Sequence, residues 1–223
     1  MLTSTFADGV RFAELERRDQ AERDLAAEAI FRFVFRSVHD HLAFNGDPHP
    51  GNYLFGRDRT VTFVDFGLVK RLPFAARDDL VQTVRFAALE PDPAELRIVL
   101  ERVGHFVPGS PLSDEQIYEF SSMLWSYLAD DSPTTLTPAW ASETVRRYLF
   151  KGPEFKQIDR WGALPKDFVI LQRITVGLLA ILGRLNATAN WHRIARELWL
   201  GDAPASALGE LEAEWLAHPA VTS

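Results

Sequence analysis

What most narrows the folds open to this chain is a change of hydrophobic period within its first third. From 27 to 42 the apolar residues Ile30, Phe31, Val34, Phe35, Val38 and Leu42 recur every three to four positions, the spacing of one buried helix face. The pattern then shortens. Tyr53-Leu54-Phe55 and the stretch 60–64, rich in β-branched and aromatic residues, flank the turn Gly56-Arg57-Asp58-Arg59 and predict a β-hairpin. Downstream the helical period returns at 75–89, at 94–103 closed by Gly104, at 113–128 opened by a Ser113/Gln116 capping box, and at 140–149, 166–185 and 190–200. The expected fold is mainly α with a small β-hairpin. The Pro/Ser/Thr-rich stretch 131–138 reads as a connection between two helices.

Composition then limits the chemistry. With 223 residues, 47% of them apolar, the chain suits one globular domain with room for a small second one. A formal charge of -7 opposes phosphate neutralisation, so nucleic acid is not an expected partner. The absence of cysteine excludes disulfides, zinc–thiolate sites and a thiol nucleophile, leaving oxygen or imidazole for any metal. The greasy stretch 168–185 is interrupted by Gln172 and Arg173 and reads as a buried helix rather than a membrane span. The first residues lack a cationic leader followed by an apolar run, so a cytoplasmic location is expected.

Two polar clusters bracket the hairpin: Gly46-Asp47-Pro48-His49-Pro50-Gly51-Asn52 before it and Asp65-Phe66-Gly67 after it. Phosphoryl transfer needs a carboxylate to orient or deprotonate the acceptor and oxygen ligands for Mg²⁺, because its transition state is stabilised mainly by position and charge. Asp47, Asn52 and Asp65 supply those groups in the order of a kinase catalytic loop and Asp-Phe-Gly turn. Turn chemistry alone also favours Asp and Asn in loops, so it is the order around the hairpin, more than any single residue, that points to this reaction.

The stretch Phe44 through Asn52, with its Pro-His-Pro-Gly insert, and Phe63-Val64-Asp65-Phe66-Gly67-Leu68-Val69 resemble the AarF/UbiB (ADCK-like) atypical kinase family. Leu2-Thr3 through Phe6, Asp8 and Gly9 resembles that family's hinge, and Leu164-Pro165-Lys166-Asp167-Phe168 its closing helix. The resemblance implies the C-terminal lobe of a protein-kinase-like fold: a hinge remnant at 1–9, the lobe at 10–200 and a tail at 201–223. It further implies Asp47 as catalytic acid, His49 touching the transferring phosphate, Asn52 and Asp65 as Mg²⁺ ligands, and Thr5, Phe6 and Gly67 at the ATP site. The sequence departs from the family in having Asn45 where His is usual and Thr5 where Glu is usual.

Its lysines, Lys70, Lys151, Lys156 and Lys166, all follow Asp-Phe-Gly, so none can pair with a helix glutamate to clamp phosphates as in a first lobe. That lobe is expected before Met1 or on a protein partner, against an exposed apolar face. The family implies isoprenoid quinone (ubiquinone) biosynthesis and contact with a membrane surface. A catalytically silent pseudokinase module is the alternative. Aminoglycoside- or choline-type kinases share the Gly-Asp-x4-Asn loop but not the Pro48-His49-Pro50 insert or the Gly67-Leu68-Val69 continuation.

The remaining conspicuous residues read structurally. His39 and His41 fit a helix C-terminus, where a cation suits the dipole. Arg17-Arg18 and Arg146-Arg147 read as solvated faces, and Trp191 and Trp199 as core or a docking face. His105, His192 and His218 show no partner pattern.

Overall fold

The structure is a computed structural model that describes residues 6–150, 152 and 155–218. In chain order its elements are β1 (Val10–Arg11), α1 (Phe12–Leu15), α2 (Gln20–His39), β2 (Ala43–Asn45), β3 (Tyr53–Phe55), β4 (Val61–Phe63) and β5 (Val69–Arg71). There follow α3 (Ala76–Val84), α4 (Pro93–Arg102), α5 (Asp114–Ser121), β6 (Thr134–Leu136), α6 (Pro138–Leu149), α7 (Ile158–Trp161), α8 (Lys166–Arg184), β7 (Ala187–Ala189), α9 (Trp191–Leu200) and α10 (Ala207–Ala217). The chain is mostly helical with small sheets, as expected.

The expected hairpin is β3–β4, paired antiparallel with Tyr53 opposite Phe63 and Phe55 opposite Val61. Three further pairings join the sheets. β1 adds to β3, with Val10 opposite Phe55, and β2 pairs with β5, setting Asn45 opposite Val69. The second pairing closes a ring: the strand entering the polar loop lies beside the strand leaving Asp-Phe-Gly. The stretch 131–138 is more than a connection, because β6 within it pairs with β7 some fifty residues later, Leu136 opposite Ala187.

The helix expected from 27 starts earlier, at Gln20, because the Asp19 carboxylate accepts from the Glu22 amide at 2.8 Å and caps it. Its apolar face buries Ile30, Phe31, Val34, Phe35 and Val38, each worth about 1.5–3 kcal/mol of burial. Phe31 packs against Phe35, Tyr127, Trp191 and Trp199, so both tryptophans of α9 belong to the core. The capping box forms as expected, Ser113 Oγ accepting from Gln116 N and Gln116 Oε1 from Ser113 N. Past α5 the chain tightens into a 3₁₀ turn over Met123–Leu128, so the stretch 113–128 is two elements rather than one helix.

α10 lies in the segment taken from sequence only as a tail. It is fastened by a buried guanidinium: Arg32 of α2 donates to Glu28 Oε1 at 2.7 Å, to both Glu197 oxygens at 2.6 and 2.7 Å, and to Glu212 Oε2 at 2.9 Å. Ser206, whose hydroxyl accepts from Gly209 N and caps α10, donates to Glu28 Oε1. One cation thus joins α2, α9 and α10. Among the described residues no helix is long and apolar enough to cross a membrane.

Candidate active site

Asn45 is the last residue of β2, and its side chain spans the two polar clusters. Its Oδ1 accepts from the Asp47 amide at 3.0 Å while its Nδ2 donates to the Asp65 carbonyl. Backbone bonds reinforce the junction: Gly46 N donates to Leu68 O at 2.7 Å, and Val64 N to Asn52 O at 3.1 Å. The departure from the family's usual His at this position therefore leaves the loop held, by an amide with a donor and an acceptor in one plane.

Asn52 closes the loop from its other end. Its Nδ2 donates to the Asp47 carbonyl at 3.0 Å, which commits the nitrogen and leaves Oδ1 as the free-facing acceptor of the amide. The Asp65 carboxylate accepts from Gly67 N at 2.7 Å, closing a tight turn across Asp-Phe-Gly. Asp47, Asn52 and Asp65 are thus brought to one end of the β3–β4 hairpin and tied to one another through backbone and amide bonds.

His49 is held by its own loop. Its Nδ1 accepts from Gly51 N at 3.0 Å and caps the 3₁₀ turn Pro50–Asn52. A nitrogen that accepts must be unprotonated, so the ring in this geometry is neutral, with its proton on Nε2. It can offer one donor to a phosphate, but a full positive charge there would break the cap. Of the hinge residues, Phe6 is 90% exposed, and Thr5 lies outside the described residues.

Four neighbours were missed by sequence reasoning. Arg173 of α8 donates from Nη2 to Asp47 Oδ1 at 3.2 Å, both side chains being largely exposed. Gly177, one turn on, faces Pro48 so closely that a Cβ would stand 2.4 Å from Pro48 Cγ, and Ile170 fills the space a Gly46 side chain would need. Residues 170, 173 and 177 share one helix face, which carries the loop from beneath. An interior glycine in an otherwise strong helical pattern was the available signal. Tyr53 is the fourth: burial, and then the Asp47 charge, push its hydroxyl up to about 12, so it stays neutral beside the loop.

The apolar residues after the hairpin turn outward. Val64, Phe66, Leu68, Val69 and Phe74 are all exposed, forming a greasy strip along the Asp-Phe-Gly segment.

Residues 1–99 match the ABC1 atypical kinase-like domain. A comparison with curated proteins gave no match. Among solved structures, the complex of Rv3197 with erythromycin from Mycobacterium tuberculosis resembles this chain with a TM-score of 0.68 at 25% identity, over 86% of this chain and 48% of that one. The chain therefore spans about half the length of that protein. Because the matched region holds both the Asn45–Asn52 loop and Asp65-Phe66-Gly67, it bears out the resemblance to the AarF/UbiB-type atypical kinases that those residues carry.

Proposed function

We propose that this chain forms the acceptor- and magnesium-handling lobe of an ATP-dependent phosphotransferase or ATPase of the AarF/UbiB type. The observation that carries the reading is the Asn45 bridge between the Asp47 amide and the Asp65 carbonyl, which makes one rigid unit of the two clusters a phosphoryl-transfer site needs.

The donor set fits a hard cation. Asn52 Oδ1 and the Asp65 carboxylate are two oxygen ligands, and Mg²⁺ ordinarily takes only one or two from protein, completing its shell with phosphate and water. When bound it neutralises charge on the β- and γ-phosphate oxygens. The chain's own residues do the rest. The Asp47 carboxylate accepts a hydrogen bond from the acceptor hydroxyl or water, orients it for in-line attack and takes its proton as the bond to the γ-phosphorus forms and the bond to the departing nucleoside diphosphate breaks. Arg173 sits on that same Oδ1 and steers the carboxylate from the α8 side. His49 Nε2–H offers a neutral donor to a phosphate oxygen, while Gly67 keeps the Asp65 carboxylate in place.

The exposed strip from Val64 to Phe74 is where a nucleotide-covering lobe or a protein partner would pack, bringing the phosphate-clamping lysine. By resemblance the acceptor belongs to isoprenoid quinone biosynthesis, with the protein cytoplasmic and working at a membrane surface. One observation favours the second reading, a silent module: Asp47 Oδ1, the atom an acceptor would use, already carries the Arg173 ion pair.

Calorimetric titration with Mg-ATP separates the two. In the kinase reading the wild type binds, Asp65→Ala weakens binding at least about tenfold, and Asp47→Ala binds but loses turnover. Equal heats for wild type and Asp65→Ala would discard the metal assignment, and undiminished turnover in Asp47→Ala the acid.

A further inference from the structure

The helix α10 turns its polar side inward and its apolar side to water. It is fastened through Glu212, which accepts from Arg32 and Arg36, and through the Ser206 hydroxyl, which donates to Glu28. Leu211, Trp215 and Leu216 are each more than half exposed. Residues 211 and 215 lie one turn apart on a shared face, and Glu210 and Glu214, both exposed, run beside them. An exposed apolar stripe flanked by carboxylates marks an interaction face, and its charge narrows the partner. Because α10 carries three Glu and neither Lys nor Arg, a second α10 or an anionic lipid surface would set like charges together. The fitting receiver is an apolar groove with cations beside it.

The chain carries such a groove elsewhere on its surface. Between α6 and α8, an open groove of about 460 Å³ is lined by Val145, Leu149, Val176 and Ala180, with Arg146 and Arg184 also on its wall. A cavity of about 150 Å³ already takes benzene, so this one has room for an indole and a leucine side chain. Arg146 pairs with Glu143 and Arg184 with Glu16, yet both guanidinium groups remain exposed. Each has five N–H donors, enough to serve a second carboxylate. The α10 of the same chain is held on α2 and α9 by the Arg32 network and does not fill this groove.

We propose that the α6–α8 groove receives the α10 face of a second copy of this chain, with Trp215 and Leu211 entering it and Glu210 and Glu214 pairing with Arg146 and Arg184. Both kinds of complementarity are met at once, apolar to apolar and carboxylate to guanidinium. Donor and receiver are different surfaces, so the contact is head-to-tail, and a pair keeps one unused face at each end for a further copy. One groove and two anchoring side chains make a small interface, which suits a weak contact with a dissociation constant of about 100 µM. The inference is independent of the phosphotransfer reading, because neither surface includes the Asn45–Asn52 loop or Asp65.

Sedimentation velocity of the full chain over a rising concentration series tests this. The mean mass of wild type climbs with concentration. Trp215→Glu, at an exposed site, removes the donor face, and Ala180→Glu, also exposed, puts a carboxylate into the groove. Each variant alone stays monomeric. Mixed in equal amounts they form a complex that stops at two chains, because each lends the surface the other has lost. Changing Glu210 and Glu214 together to Lys weakens association about tenfold, even though it lowers the net negative charge that drives copies apart. A wild type that stays monomeric up to about ten times the expected dissociation constant would overturn the proposal. So would loss of association in Trp215→Glu but not in Ala180→Glu, the signature of an α10–α10 pair. A mixture that fails to associate, or tighter association of the double Lys variant, would do the same. The wild-type concentration series stands even if a variant fails to fold.

Discussion

Replacing Arg32 by methionine should cost this fold about 3–5 kcal/mol, the range for stripping one partner from a buried ion pair. The guanidinium is 4% exposed, and its loss leaves Glu28 and Glu197, 8% and 6% exposed, facing each other without the cation between them. Glu212 suffers less, because it is partly exposed and keeps Arg36 at 3.2 Å. Set against a total stability of about 5–15 kcal/mol, the loss is large but survivable. Its pH dependence is the sharper test. In the wild type, burial pushes the Glu197 carboxyl up, but the hydrogen bonds from Arg32 and the Ala205 amide and the Arg32 charge outweigh it, so the net shift is downward. A carboxyl lowered in the fold contributes stability above its unfolded value of about 4.3 and loses it as pH falls through the folded value. Without Arg32, burial and the Glu28 charge are set only against the Ala205 amide and the Arg36 charge, and the shift reverses. Stability is then fullest below about 4.3 and drains away as pH rises. Urea midpoints should therefore fall on acidification in the wild type and rise in Arg32→Met. Parallel profiles, or a variant within about 1 kcal/mol of wild type at neutral pH, would refute the claim that one guanidinium holds α10 to α2 and α9.

Further outcomes follow from the loop and its supports. Gly177→Ala, which in a free helix would gain about 0.5–1 kcal/mol, should instead destabilise by about 1 kcal/mol because its methyl meets Pro48; a raised urea midpoint would show that α8 does not press on the loop. Asn45→Ala removes two hydrogen bonds, together about 1–3 kcal/mol of local closure, and should speed amide exchange at Asp47; Asn45→His should restore most of the protection, and unchanged exchange in the alanine variant would refute the bridge. Ser113→Ala should cost about 1 kcal/mol of thermal stability through the capping box, with no effect on Mg-ATP heats.

The parts of this fold that the sequence announced are those whose cause is local. The α2 face repeats at helical spacing, the 56–59 turn sits between two β-rich runs, and the Ser113 cap stands three residues before its partner. Even the order Asp47, Asn52, Asp65 is local, since a hairpin obliges its two ends to meet. What stayed hidden depends on partners far along the chain. β6 has no strand-like alternation strong enough to declare itself, and it exists because β7 lies beside it. β2 and β5 are three residues each and gain their ladder only once the loop between them has folded back. Arg32 reads as one more charged residue on a helix until Glu197 arrives from the other end of the chain.

The same distinction bears on how the candidate site is built. The acid-bearing loop is short, only partly buried and rich in proline and glycine, the kind of segment that cannot fix its own geometry to the tolerance phosphoryl transfer requires. Its order comes from three outside supports: the Asn45 amide in its plane, β5 pairing along its edge, and α8 beneath it through Ile170, Arg173 and Gly177. Two of these supports are separated from Asp47 by more than twenty residues, so the loop reaches its working shape only after β5 and α8 have docked. A substitution on α8 that touches neither phosphate nor metal, such as Gly177→Ala, should therefore degrade the reaction through the position of Asp47. Turnover should fall while Mg-ATP heats stay at the wild-type value, because Asn52 and Asp65 keep their own bonds. A variant that lost nucleotide binding and turnover together would place the support of α8 under the metal ligands instead.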